Sequence, residues 1–141
     1  MKAYNKEEKH RQQARGQSLV EFALLFPILI MLVLGIADLG RAYYALVALN
    51  DAAEEGAMYA AMDPGNTDEI KDRAVHATSG LITLDPSLVS RTPSSDFTAG
   101  EPVTVTVGYI FTVYTPLMQT FFDGGQVTLQ GRAVNAVMGS N

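Results

Sequence analysis

The chain predicts an α+β fold: a long N-terminal helix that crosses a membrane and runs on into a small extracytoplasmic unit, with a short helix and a two- to three-stranded antiparallel sheet. Three observations predict it. Phe22 to Ala37 has no charged residue. Small residues recur every three or four positions from Ala45 to Ala60. Val103-Thr104-Val105-Thr106-Val107 alternates strictly, as a half-buried strand does. The 141 residues divide accordingly. Residues 1–16 are a basic leader, 17–62 a long helix that spans to about residue 39, and 63–141 a unit packed on the helix's outer half.

Charge orients the first element. Before Gly16 there are five bases against two acids; from Gln17 onward there are five bases against thirteen acids. A basic flank before an apolar helix stays cytoplasmic under the positive-inside rule, so the acidic remainder is exported. Phe22–Ala37 together with Leu19, Val20 and Glu21 approaches the ~20 residues that cross a bilayer core. A secretory signal peptide is the alternative for such a segment. Against it, the run exceeds the usual ~7–15-residue apolar region, and Ile36-Ala37-Asp38 makes a poor cleavage site. A plain single-span anchor remains open on composition alone.

Glu21 is the only acid between Ser18 and Ala37. A carboxylate in a membrane segment is costly and marks a functional residue or a side chain that snorkels to the headgroups. Pro27 cannot donate to the carbonyl of Ala23, so a bend or local loosening is expected there. It either fits the helix to its neighbours or is a tolerated kink. Asp38 and Arg41 are i,i+3 neighbours at the outer interface, followed by Tyr43 and Tyr44 where aromatic belts lie. Ala45, Ala48, Leu49, Ala52, Gly56 and Ala60 then share one face of mostly small residues, which permits close backbone approach. Unbroken from about Ser18 to Met62, the helix is ~65 Å long.

Asp63-Pro64-Gly65-Asn66 ends it. Thr67 is the expected cap of a second helix, with Asp68 and Glu69 in its first turn and its end near Gly80. Those acids do not have the spacing of a calcium loop. A loop-rich link follows, with a short strand at Leu88–Arg91. The alternating valines open a strand that bends at Gly108 and reaches about Tyr114. After Gly124-Gly125, Val127 to Val137 predicts a last strand, with Gly131 as a bulge.

Catalytic chemistry has no foothold. There is no cysteine, and His76 is the lone histidine beyond the leader, so no metal cluster forms. No phosphate loop, dinucleotide fingerprint or nucleophile elbow occurs. Scattered acids and an acidic exported part also argue against nucleic acid. The expectation is no enzyme and no cofactor.

The string RGQSLVEFALLFPILIMLVLGIADLGRAYYALVALNDAAEEGAMYAA resembles the TadE-like family, the type IV pilin-like pseudopilins of tight-adherence pili. The matching blocks are Arg15–Leu24, Asp38–Arg41 and Asn50–Ala57, and the later VTVTVGYIFTVYTPL and GGQVTLQGRAVNAVM look like the family's terminal strands. The resemblance implies a pilin-like fold and a cut by prepilin peptidase between Gly16 and Gln17 on the cytoplasmic side. It makes Glu21, fifth after the cut, the assembly residue. It implies partners in the inner-membrane pilus assembly platform and in other pilin-like subunits, or copies of itself, in a filament. It also implies residence in the bacterial inner membrane and then the pilus or cell surface, as a minor component.

Physics supports that role for Glu21. A free α-amino group at Gln17 is positive below a pKa of ~8. The N-terminal end of a helix adds partial positive charge. The Glu21 carboxylate of one subunit then meets the Gln17 amino terminus of its neighbour, pairing a charge that is costly alone.

Overall fold

The computed structural model describes residues 17–78 and 80–138 in full, and of residues 4–16, Leu117 and Asp123 the backbone alone. The order is α1 (Tyr4–Met62), α2 (Thr67–Ala77), β1 (Val89–Thr92), β2 (Pro102–Thr112), α3 (Pro116–Gln119) and β3 (Gln126–Ala136). The fold is α+β, with a long apolar N-terminal helix, a short helix and a three-stranded antiparallel sheet.

α1 is unbroken through Pro27. It splits into two environments. From Leu19 to Ile36 its large apolar side chains stand exposed, with no other element over them. From Ala45 onward one side is covered. The Asp63 N–H gives the last helical bond, to the Tyr59 carbonyl at 3.0 Å, before Pro64 stops the chain.

The turn into α2 differs from expectation. Asn66, not Thr67, is the cap: its side chain accepts from the Glu69 N–H at 3.2 Å. Asparagine is as good a cap as any residue, and the turn places it one position ahead of the helix. α2 ends at Ala77, with Thr78 closing it through hydrogen bonds to the Val75 carbonyl, short of Gly80.

The strands run in the order β1-β2-β3. β2 ends at Thr112, not Tyr114, because the chain turns there to meet α1. Its register is regular past Gly108. Gly131 is not a bulge: it pairs directly with Val107 in an unbroken antiparallel register. The reason for glycine there is the helix beneath. A Cβ on Gly131 would collide with the Leu49 carbonyl and come within 2.8 Å of the Asn50 nitrogen. Helix and strand backbones touch at that point, and only a residue without a side chain fits.

The core lies between the sheet and the outer half of α1. Val103, Val105 and Val107 project from β2 onto Leu49, Ala52, Ala53 and Ala57, while Ile70 and Ala74 close it from α2. Burying each valine contributes about 1.5–3 kcal/mol. The buried stripe of α1 also takes in Ala53, Ala57 and Ala61, so it is wider than sequence spacing predicts. Two elements cover it rather than one. At the top, the Met138 N–H donates to the Ala61 carbonyl at 2.7 Å, satisfying one of the free carbonyls at the helix end.

Candidate functional site

Asp38 organises the point where bare stem becomes covered stem. It is only 7% exposed, although it sits near the end of the apolar run. The turn after β2 supplies its partners. The Tyr114 N–H donates to both carboxylate oxygens, at 3.2 and 3.0 Å. The Thr115 N–H and hydroxyl donate to Oδ2 at 2.8 and 2.7 Å. A carboxylate needs several donors to be buried without a large penalty, and this turn provides them.

Arg41, one helical turn on, completes the arrangement. Its Nη1 donates to Asp38 Oδ1 at 3.1 Å, and its guanidinium lies 4.2 Å from the Tyr114 ring centre and 5.0 Å from that of Phe111. Asp38 and Arg41 are thus a clasp that holds the end of the sheet to the stem. Sequence reading placed both residues at a membrane interface and missed Tyr114 and Thr115. The available signal was Asp38 itself. An acid inside an apolar helical run lacks local donors and has to find them on another segment, and Thr115-Pro116 is a turn able to offer them.

Glu21 lies far down the exposed stem. The Gln17 side-chain amide donates to its Oε1 at 3.2 Å, on one face of the helix. Both side chains stand exposed among the described residues, and Phe22 packs its ring 5.6 Å from that of Phe26 one turn further along. Gly16, half of the expected processing site, lies outside the fully described residues. Pro27 stands among exposed apolar residues of the stem. Ala45, Ala48, Ala52 and Gly56 line the buried stripe, and a Cβ on Gly56 would meet Val105 Cγ1 at 3.1 Å. Tyr43 and Tyr44 project outward just above the clasp. Among the described residues no group of His, Cys, Asp or Glu side chains gathers to hold a metal ion.

The arrangement suits mechanical anchoring: an uncovered apolar stem with one acid near its start, clamped at its midpoint to a small sheet. The family described as TadE-like protein matches residues 16–58. That segment is similar to the TadE-like family. The TadE-like match begins at Gly16, spans Glu21, Asp38 and Arg41, and ends within the covered half of α1. It does not reach the strands. No curated protein and no solved structure matches the chain. Over those residues the chain is similar to TadE-like proteins, and the same helix is long and apolar enough to cross a membrane.

Proposed function

We propose that the chain is a pseudopilin, a structural subunit of a tight-adherence pilus or of its assembly apparatus. Prepilin peptidase removes the leader between Gly16 and Gln17, leaving the stem in the inner membrane with the sheet outside. Extraction into a filament then carries the unit to the cell surface. The observation that carries this reading is the TadE-like match, which starts at Gly16 and includes Glu21.

The geometry supports the division of labour. The exposed stem offers apolar surface to lipid or to other stems, while the outer half of α1 is occupied by its own sheet. Glu21 has only the Gln17 side chain as an internal partner among the described residues. In a filament it pairs with the free amino group of a neighbouring Gln17, which sets the axial register between subunits.

Intact mass of the protein from native membranes tests the processing step. A mature chain starting at Gln17 supports it; one starting at Met1 or near Asp38 sinks it. Sheared extracellular material then separates a filament component, which co-purifies with pilins, from a plain anchored envelope protein, which stays with the membrane.

A further inference from the structure

Beyond β2 the chain folds into a compact loop, residues 113–125, on the stem side of the Asp38–Arg41 clasp. The Val113 N–H closes it onto the Gly125 carbonyl at 2.8 Å. Inside, the Gln119 N–H donates to the Thr115 carbonyl at 3.1 Å and the Gln119 side chain to the Val113 carbonyl at 2.9 Å. The loop satisfies backbone groups internally and leaves three large apolar side chains outward. Phe121 is 75% exposed, and Met118 and Phe122 are also open. No residue from Pro102 to Phe122 is charged. Such a cluster on a solvated surface calls for a covering partner.

Depth along α1 says what covers it. Met118 and Phe122 face Gly35 and Leu39 across an apolar groove of about 370 Å³. Gly35 belongs to the uncharged run that begins at Phe22, and Leu39 lies just beyond it. A hydrocarbon core of ~30 Å entered near Leu19 ends about twenty residues later at 1.5 Å each, near Leu39. The groove is therefore level with the outer leaflet. Tyr43, Tyr44 and Tyr114 stand exposed around the clasp at the height where interfacial aromatics collect.

We propose that residues 116–122 are a membrane foot, inserting Met118, Phe121 and Phe122 into the outer leaflet of the bilayer that α1 spans, with a lipid acyl chain in the groove beside Gly35 and Leu39. The foot gives the sheet a second attachment to the membrane and sets it flat on the surface. The inference rests on the stem spanning a bilayer and is independent of entry into a filament.

The chain has no tryptophan, so single replacements report cleanly. The full chain, as wild type and as Leu29→Trp, Phe121→Trp and Met58→Trp, is reconstituted into phosphatidylcholine vesicles with and without bromine on the acyl chains. Leu29→Trp reports the stem and Met58→Trp the far side of the unit. The expected result is strong, blue-shifted and bromine-quenched emission from Leu29→Trp and Phe121→Trp, with Met58→Trp unquenched. Should Phe121→Trp lose the wild-type circular dichroism, Met118→Trp takes its place. Quenching at Leu29 with none at the foot overturns the proposal, and shielding that grows with protein-to-lipid ratio assigns the groove to a second copy instead. Absence of quenching at both sites overturns the foot together with the membrane-spanning stem, and leaves the processing and filament tests to be read separately.

Discussion

Asp38 and Thr115, 77 positions apart, are joined twice: the Thr115 N–H and its hydroxyl both donate to Oδ2, at 2.8 and 2.7 Å. This pair connects the long apolar helix to the turn that ends β2. Below it the stem is bare; above it the stem is a wall of the core.

Breaking that pair should loosen the lower end of the sheet. Asp38→Ala leaves the Tyr114 and Thr115 N–H groups buried or half-buried without an acceptor, at about 1–3 kcal/mol for each unsatisfied group. Thr115→Val removes only the hydroxyl donor and should cost about 1 kcal/mol. Urea unfolding in detergent would rank the two. Limited proteolysis should cut Asp38→Ala first near Thr112–Pro116. Equal stability of both variants with wild type would mean that the clasp contributes nothing.

Two glycines should respond oppositely to the same added methyl. Gly131→Ala drives a Cβ into the Leu49 backbone, which cannot move without shifting α1. Overpacking against backbone should cost about 3 kcal/mol or more. Gly56→Ala meets the Val105 side chain at 3.1 Å, which can give slightly, and it gains about 1 kcal/mol of helix propensity. A net change within about 1 kcal/mol is expected there. Thermal unfolding of the two variants side by side decides the matter; a tolerated Gly131→Ala would contradict the close approach.

Glu21 separates insertion from assembly. Glu21→Ala removes a costly acid from the membrane segment, so membrane-bound protein should be undiminished, with a gain of up to ~2.5–3.5 kcal/mol at the bilayer centre and less near its edge. Cleavage at Gly16 should persist. Assembly should fail in Glu21→Ala and be impaired in Glu21→Gln, which keeps the shape but not the charge. Normal surface recovery of both would make Glu21 a snorkelling residue only.

A pH effect is expected at the loop before β1. Asp85 accepts from Ser87, including its N–H at 2.8 Å, and these hydrogen bonds hold its carboxyl below the usual range. A depressed folded-state pKa stabilises the fold above the unfolded value of ~3.9 and loses that contribution as pH falls through the folded value. Wild type should therefore exceed Asp85→Asn in stability at neutral pH, and the gap should close below about pH 4. A gap that stays constant down to pH 2 would remove Asp85 from the account.

Much of the architecture is legible from residues because it depends on local pattern. The uncharged stretch Phe22–Ala37 dictates an apolar helix wherever it is placed. Asp63-Pro64-Gly65 stops that helix by backbone chemistry alone. The alternation at Val103–Val107 produces a one-faced strand. Glu21 is conspicuous for the same reason: its neighbours along the chain are all apolar, so the anomaly needs no fold to reveal it.

What lay beyond pattern depended on which segments meet. Gly131 reads as a bulge along the chain, since glycine in a strand has that common use; only the helix beneath shows that it exists for a backbone-to-backbone contact. Asp38 reads as an interface acid paired with Arg41, because i,i+3 spacing is visible and donors 76 and 77 positions away are not. The stripe on α1 reads as narrow because periodicity finds one covering surface, whereas α2 and the sheet cover two flanks. By itself the sequence determined the apolar stem and its single acid, since these follow from hydropathy and charge. Tertiary structure alone decided how the sheet is fastened to that stem, because donor–acceptor matching and close backbone contact are properties of segments brought together in space.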